Sequence, residues 1–238
     1  MSTMLSQVLR VPGLCAVCRQ WGRERICSEC LARYAAPVLR CRRCALEVPA
    51  GTTLCGACLS DPPPFERALA ALDYGFPWAD LVARFKFHDG LDLADALAQR
   101  IVEAHAADRH AMPRPELLLP VPLSAERARE RGYNQAWELA RRIARRLRCP
   151  AEAQWLLRVK DTPHQLALPI ERRAGNVRGA FAIAPEHRDT LRGRAVTVID
   201  DVMTTGATAA EIARALLQAG AAQVHVWMLA RTPRPGER

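Results

Sequence analysis

Two groups of residues in this chain have the types and spacing to do chemistry. The first is Asp200-Asp201 followed by Val202-Met203-Thr204-Thr205-Gly206-Ala207-Thr208, set directly after the β-branched run Ala195–Ile199 and directly before a helical pattern. Two adjacent carboxylates are costly unless they meet hydroxyls, cations or water. A neighbouring pair can accept hydrogen bonds from both vicinal hydroxyls of a ribose. The helix start beyond them offers free N–H groups and a dipole that favours phosphate. Gly206 lets the backbone come close, and the hydroxyls of Thr204, Thr205 and Thr208 add donors. A ribose 5-phosphate therefore fits across the segment, its diol on the acids and its phosphate on the turn. No lysine follows the glycine as in a Walker loop, and a dinucleotide fingerprint needs more glycines.

The second group is cysteine. Eight of the 9 cysteines form four Cys-x-x-Cys pairs, Cys15/Cys18, Cys27/Cys30, Cys41/Cys44 and Cys55/Cys58. Such a turn aims two thiolates at one centre, and two turns complete a tetrahedral zinc site. The count predicts two four-cysteine zinc sites, while the spacing leaves open whether the pairs combine consecutively or interleave. With every ligand supplied by protein no position is left for a substrate, so both metals should be structural. So short a segment has little core, and metal binding would be most of its folding free energy. Cys149, alone before Pro150, reads as a small buried residue.

The elements that must position these groups follow from hydrophobic patterning. Short apolar runs at Leu117–Val121, Ala195–Ile199 and Val224–Leu229, with Ala68–Tyr74 as a fourth, predict buried strands. Helical periodicity covers Trp78–Phe87, Leu91–Ala107, Gln135–Leu147 and Thr208–Ala219, the last followed by Gly220 where a C-terminal cap belongs. This alternation predicts an α/β domain with a mostly parallel central sheet, whose ligands bind beyond the carboxyl ends of the strands. Asp61-Pro62-Pro63-Pro64 reads as a stiff linker. The expected organisation is a zinc module over residues 1–60, a Pro-rich linker over 61–67 and the α/β domain over 68–233.

No stretch approaches the roughly 20 apolar residues that cross a bilayer, and Met1–Leu14 lacks the apolar core of a secretory signal. A cytoplasmic protein without membrane insertion is expected. The net charge of +9 suits anionic partners. Of 34 basic residues only Lys86 and Lys160 are lysines, and Asn134 and Asn176 are the only asparagines. Scarcity makes a specific need for each of those four side chains more plausible, because lysine is a compact point charge that arginine does not replace.

The segment Val198–Thr208 resembles the phosphoribosyl-diphosphate (PRPP) motif of type I phosphoribosyltransferases. The likeness extends through the four cysteine pairs, Pro120-Val121-Pro122-Leu123, Arg131-Gly132-Tyr133-Asn134-Gln135, Lys160-x-Thr162-x-x-Gln165, Arg172, Asn176 and Ala180-Phe181. Over nearly its whole length the chain is similar to the ComF family of competence-related proteins. That resemblance implies a type I phosphoribosyltransferase fold behind a small double zinc ribbon, four cysteines per zinc. It implies a glycosyl transfer from PRPP, with Asp200 and Asp201 on the ribose hydroxyls and Met203, Thr204, Thr205, Gly206, Ala207 and Thr208 around the 5-phosphate. Pro122-Leu123-Ser124 would correspond to the pyrophosphate loop, with Arg127, Arg129 and Arg131 just beyond it. Arg131 and Lys160 would join the two acids as catalytic groups, and Mg²⁺ would arrive with the PRPP. The stretch Lys160–Phe181 looks like the mobile hood of these enzymes. Asn134, Gln135, Thr162, Gln165, Arg172 and Asn176 would belong to the hood and acceptor side. Lys86 also matches a family position, without an evident role.

Nothing in the sequence names an acceptor. A second reading is a binding protein for single-stranded DNA within the competence machinery, on a catalytically silent phosphoribosyltransferase fold linked to DNA uptake. It rests on the resemblance, the basic charge and the zinc ribbons. Aromatic residues are only 5% of the chain, which is thin for base stacking, and Trp21 and Tyr34 are the obvious platforms in the cysteine segment.

Overall fold

The four apolar runs pair side by side as one sheet in the order Arg67–Asp73, Gln223–Arg231, Ala195–Met203 and Leu117–Pro120, every neighbouring pair parallel. The computed structural model describes residues 12–87, 90–108, 110, 112–160 and 177–233. The chain divides into two compact units, Met1–Pro37 and Val38–Arg238.

In the first unit β1 (Gly13–Leu14) and β2 (Trp21–Gly22) form a short antiparallel hairpin, followed by α1 (Ser28–Tyr34). Its buried side chains among the described residues are Cys15, Ile26 and Cys30. Among its described residues a single buried aliphatic side chain is less than a hydrophobic core requires.

The second unit begins with the other cysteine segment and α2 (Gly56–Ser60). It continues through β3 (Arg67–Asp73), α3 (Trp78–Phe87), a 3-10 turn at Gly90–Leu93, α4 (Ala94–Ala106), β4 (Leu117–Pro120), α5 (Ala125–Arg131) and α6 (Gln135–Leu147). Then come β5 (Leu156–Arg158), β6 (Phe181–Ile183), α7 (Arg188–Leu191), β7 (Ala195–Met203), α8 (Ala207–Gln218) and β8 (Gln223–Arg231). Strand side chains alternate between faces. Val196 and Val198 of β7 and Val224, Val226 and Met228 of β8 share a core with Ile212 and Leu216 of α8. The intervening residues turn to the other face, where α4 packs on β3 and β8 and α6 on β4 and β7. Burial on both faces explains the near-continuous apolar runs.

All four strands point the same way, so Asp73, Arg231, Met203 and Pro120 end at one edge. The register sets the first three in a row, Asp73 opposite Arg231 and Arg231 opposite Met203. The acid pair and the threonine turn lie at this edge, on β7 and directly after it.

Several boundaries differ from expectation. β7 runs on to Met203 rather than ending at Ile199, because β8 pairs alongside it as far as Val202↔Ala230 and Met203↔Arg231. The acid pair is thus inside a strand rather than beyond it. The division between units falls after Pro37, upstream of the linker placed at 61–67. The second cysteine segment is built into the larger unit: Ala45, with no exposed surface, shares the core of Phe65, Leu119 and Met203. Arg40 also pairs with Asp73 at 2.8 Å and the Ala68 amide donates to the Arg42 carbonyl at 3.3 Å. Among the described residues no helix is long and apolar enough to cross a membrane.

Candidate functional site

The turn after β7 has the geometry of an anion cradle. Gly206 sits in the left-handed region, φ 84°, and caps the first turn of α8. A Cβ there would meet only the Met203 Sδ at 3.5 Å, so conformation rather than space demands glycine. The Thr205 hydroxyl accepts from the Ala207 amide at 3.3 Å, fixing the turn, while Thr204 and Thr205 remain exposed. Asp200 and the segment from Val202 to Ala209 line an open depression of about 260 Å³. Gly206 offers no side-chain cap to this twelve-residue helix, and the amides of a first helical turn and the helix dipole suit a phosphate.

The two acids are held differently. Asp200 lines the depression, and its Oδ1 accepts from the Asp201 amide at 2.8 Å. Asp201 is buried, and its Oδ2 takes the Lys86 ammonium at 3.0 Å. Burial and the Asp201 charge push the Asp200 carboxyl up to about 8, against the lowering effect of the amide bond and Lys86. Near neutrality the pair therefore retains a proton that an isolated aspartate would release, until a cation or hydroxyl donors arrive.

A carboxyl whose folded pKa lies above its unfolded value favours the folded state at low pH and opposes it as pH rises. The cost of Asp200 therefore grows from about pH 4 to about pH 8. Asp200→Asn keeps the acceptor oxygen and removes the charge, so the ligand-free variant should exceed wild type in stability by a margin that widens with pH. Discounting for partial solvent exposure, we expect the margin to grow by about 2 kcal/mol between pH 5 and pH 8. Paired urea melts at the two pH values check it; a margin independent of pH would contradict the assignment.

Lys86, one of the two lysines, is the functional candidate whose role sequence reasoning left open. It stands in the last turn of α3, and the segment at Arg131–Gln135 fastens that turn. The Tyr133 hydroxyl donates to the Phe85 carbonyl, and the Gln135 amide reaches the Lys86 carbonyl at 3.5 Å. Arg131 donates to the Gln135 Oε1 at 2.9 Å and lies over the Phe87 ring at 4.9 Å. Burial lowers the Arg131 guanidinium pKa, and Asp201 acts to raise it, so the two charges sense one another.

Asn134 caps α6, accepting from the amides of Ala136 at 2.9 Å and Trp137 at 3.3 Å, while its own amide donates to the Val121 carbonyl at 3.0 Å. With these bonds Asn134 is engaged within the scaffold, as is the buried Gln135. In the expected pyrophosphate loop Ser124 is the N-cap of α5, accepting from the Arg127 amide at 3.3 Å. Pro122 and Leu123 are half-buried beside it, next to Val121, whose amide bonds the Ile199 carbonyl of β7 at 2.9 Å. Arg129 is exposed on α5. Lys160 follows β5, and its ammonium donates to the Arg178 carbonyl at 3.4 Å. Thr162, Gln165, Arg172 and Asn176 lie outside the described residues.

The cysteines resolve the pairing left open by their spacing. Cys15, Cys18, Cys27 and Cys30 form one cluster and Cys41, Cys44, Cys55 and Cys58 the other, with ligand atoms within 4.8 Å of one another. The pairs are consecutive, not interleaved. Sulfur separations of 3.9 Å for Cys15–Cys30, 3.7 Å for Cys18–Cys27 and 3.6 Å for Cys44–Cys55 match the roughly 3.8 Å of a tetrahedral zinc–thiolate site. Either cluster could hold zinc. Cys149 stands apart, half-buried rather than fully enclosed, with burial raising its thiol pKa. That disfavours a nucleophilic role.

Sheet and edge together make the larger unit an α/β domain whose parallel sheet carries the acid pair and the threonine turn at its carboxyl edge. The chain is 36% identical over 233 residues to the DNA utilization protein YhgH of Salmonella typhi, covering 94% of this chain and all of that protein. It is 33% identical over 211 residues to competence protein F of Haemophilus influenzae, covering 88% and 91% of the two chains. A solved adenine phosphoribosyltransferase from Leishmania tarentolae aligns at a TM-score of 0.39 and 15% identity, over 72% of this chain and 93% of that one. No family model matches the chain. The chain belongs to the ComF family of competence-related proteins.

Proposed function

We propose that this protein binds Mg-PRPP at the carboxyl edge of its sheet and acts as a phosphoribosyltransferase in the handling of DNA taken up by the cell. The observation that supports this most is the continuity of Asp200, the threonine turn and the start of α8 around one depression. In this reading the amides and hydroxyls from Thr204 to Thr208 hold the 5-phosphate, and Asp200 and Asp201 accept from the ribose hydroxyls. Lys86 neutralises Asp201 while the site waits for ligand. Arg131 and Lys160 lie toward the leaving group, with Arg127 and the loop at Pro122-Leu123-Ser124. Magnesium carried in with PRPP would spread the negative charge of the pyrophosphate. The protein's own part is positioning and charge stabilisation rather than covalent chemistry. The two cysteine clusters are structural zinc sites. The link to DNA uptake rests on the names of the relatives.

Thermal unfolding tests the ligand. At a hundredfold excess over its Kd a ligand adds about 2.7 kcal/mol, which for a chain of this size raises the melting temperature by roughly 5–10 °C. Mg-PRPP should do so, and Mg-pyrophosphate or ribose 5-phosphate alone should do much less at the same concentration. Equal shifts from all three would contradict a site spanning the whole ligand.

A second reading, single-stranded DNA on the first unit, is favoured by Trp21. Its side chain is 77% exposed on the hairpin beside the exposed Arg19 and Arg23. Tyr34 differs, with the Arg33 guanidinium over its ring at 5.3 Å. Binding of a single strand there should weaken steeply with salt and be lost in Trp21→Ala.

A further inference from the structure

We propose that the second cysteine cluster is a working part of the phosphate loop: Arg231, at the end of β8, ties the backbone of Cys44 to the backbone that leads into the loop. Arg231 is 4% exposed, and its hydrogen bonds go to four main-chain carbonyls. The Nε donates to Cys44 at 3.0 Å. The Nη1 donates to Met203 at 2.9 Å, to Thr232 at 2.8 Å and to Thr204. Met203 and Thr204 open the turn that closes on Gly206. One planar fork thus spans from a metal-ligating cysteine to the first residues of the anion cradle.

The fork is suited to this and lysine is not. A guanidinium presents donors in fixed directions, and several carbonyls can be satisfied at once; an ammonium is a point with mobile donors. The Cys44 carbonyl is equally constrained from its own side. The knuckle closes through the Ala45 amide on the Cys41 carbonyl at 2.8 Å, with Ala45 in the left-handed region at φ 58°. Arg40 grips the Ala45 carbonyl at 3.2 Å and Asp73 at 2.8 Å, and Asp73 is the register partner of Arg231. Cys41, Cys44, Cys55 and Cys58 converge closely enough to share one metal, and without it the sulfurs take up protons and lose the bonds that hold them together. Losing the metal opens the knuckle, displaces the Cys44 carbonyl and leaves the guanidinium to be satisfied elsewhere. The segment from Met203 to Gly206 then loses its fixed starting point. Zinc at this cluster is thereby a positioning element for the ligand site as well as a structural one. The idea depends on the PRPP reading only for the consequence on affinity, not for the coupling itself.

Amide hydrogen exchange of residues 203–208, read without any ligand, tests the coupling directly. The proteins compared are wild type, Cys58→Ser and Arg231→Lys, with zinc content measured on each and exchange of the β8 segment 226–228 as the control for global folding. The expected result is exchange at 203–208 at least tenfold faster in both variants, with β8 protected and Arg231→Lys retaining both zincs. Exchange within twofold of wild type in Arg231→Lys would overturn the proposal, and that variant decides the question if Cys58→Ser unfolds. A second arm measures Mg-PRPP affinity, expected to fall at least tenfold in Arg231→Lys. If wild type binds no PRPP, the functional reading fails while the exchange result still decides the coupling.

Discussion

Asp200→Asn/Asp201→Asn should lose at least a hundredfold in Mg-PRPP affinity while keeping its fold. Each acid of the pair would accept a charge-assisted hydrogen bond from a ribose hydroxyl or face the cation that travels with the ligand. Bonds to charged groups contribute about 1.5–3 kcal/mol each, so losing two amounts to a factor between roughly a hundred and ten thousand. The fold should survive because asparagine matches aspartate in shape, and the bond from the Asp201 amide to the side chain at 200 can persist. Removing the like charge from a buried pair also relieves the repulsion that raises the Asp200 pKa. The opposing term is Lys86, which loses its partner at 3.0 Å; its side chain is partly exposed, so solvent can take part of that charge. Circular dichroism checks the fold and calorimetry the affinity. A folded variant that binds within threefold of wild type would remove the acid pair from the site.

Stripping zinc should unfold the first unit. Apparent binding free energies of structural zinc at neutral pH are on the order of 10–16 kcal/mol, and nothing else among the described residues of this unit approaches that. Its hairpin strands have two residues each, α1 has seven, and Ile26 is its buried aliphatic side chain among the described residues. A helix so short is unstable alone. Purified protein should carry two zincs. A chelator strong enough to remove them should abolish amide protection across residues 28–34, and re-addition of zinc should restore it. Protection that survives in fully stripped protein would show that the fold of this unit is independent of metal.

Much of the site was legible because chemistry-bearing residues are clustered in sequence. The threonine turn, its glycine and the acid pair occupy nine consecutive positions from Asp200 to Thr208, and a parallel strand followed by a helix leaves little freedom in their arrangement. α3 and α6 were bounded correctly at Trp78–Phe87 and Gln135–Leu147. Amphipathic periodicity marks both, and Asn134 caps α6 as its residue type prefers.

What stayed hidden depends on tertiary contacts. From sequence β7 is bounded at Ile199, where the apolar run ends, and aspartates are poor strand formers. Pairing with β8 overrides that preference, and no local signal reports it. α5 has no apolar stripe and only its ends betray it, Ser124 as cap and Gly132 at φ 73° as terminator. The partner of Lys86 is Asp201, far along the chain, so the scarcity of lysine could flag the residue without naming that partner. Arg231 carried no flag at all. In a chain so rich in arginine, a guanidinium buried among main-chain carbonyls looks like any other until the strands are assembled. The division after Pro37 has a similar origin: the Pro-rich segment looks like a linker locally, yet Arg40 and Arg42 on one side of it bond to strand residues on the other and Ala45 shares their core.

Isothermal titration of Mg-PRPP into the zinc-loaded wild-type protein bears most directly on the ligand assignment. One site per chain, with a Kd at or below the hundred-micromolar range and a requirement for magnesium, is the expected result. No heat and no saturation up to millimolar PRPP, from protein shown to be folded with both zincs in place, would mean that the acid pair and threonine turn no longer serve this ligand.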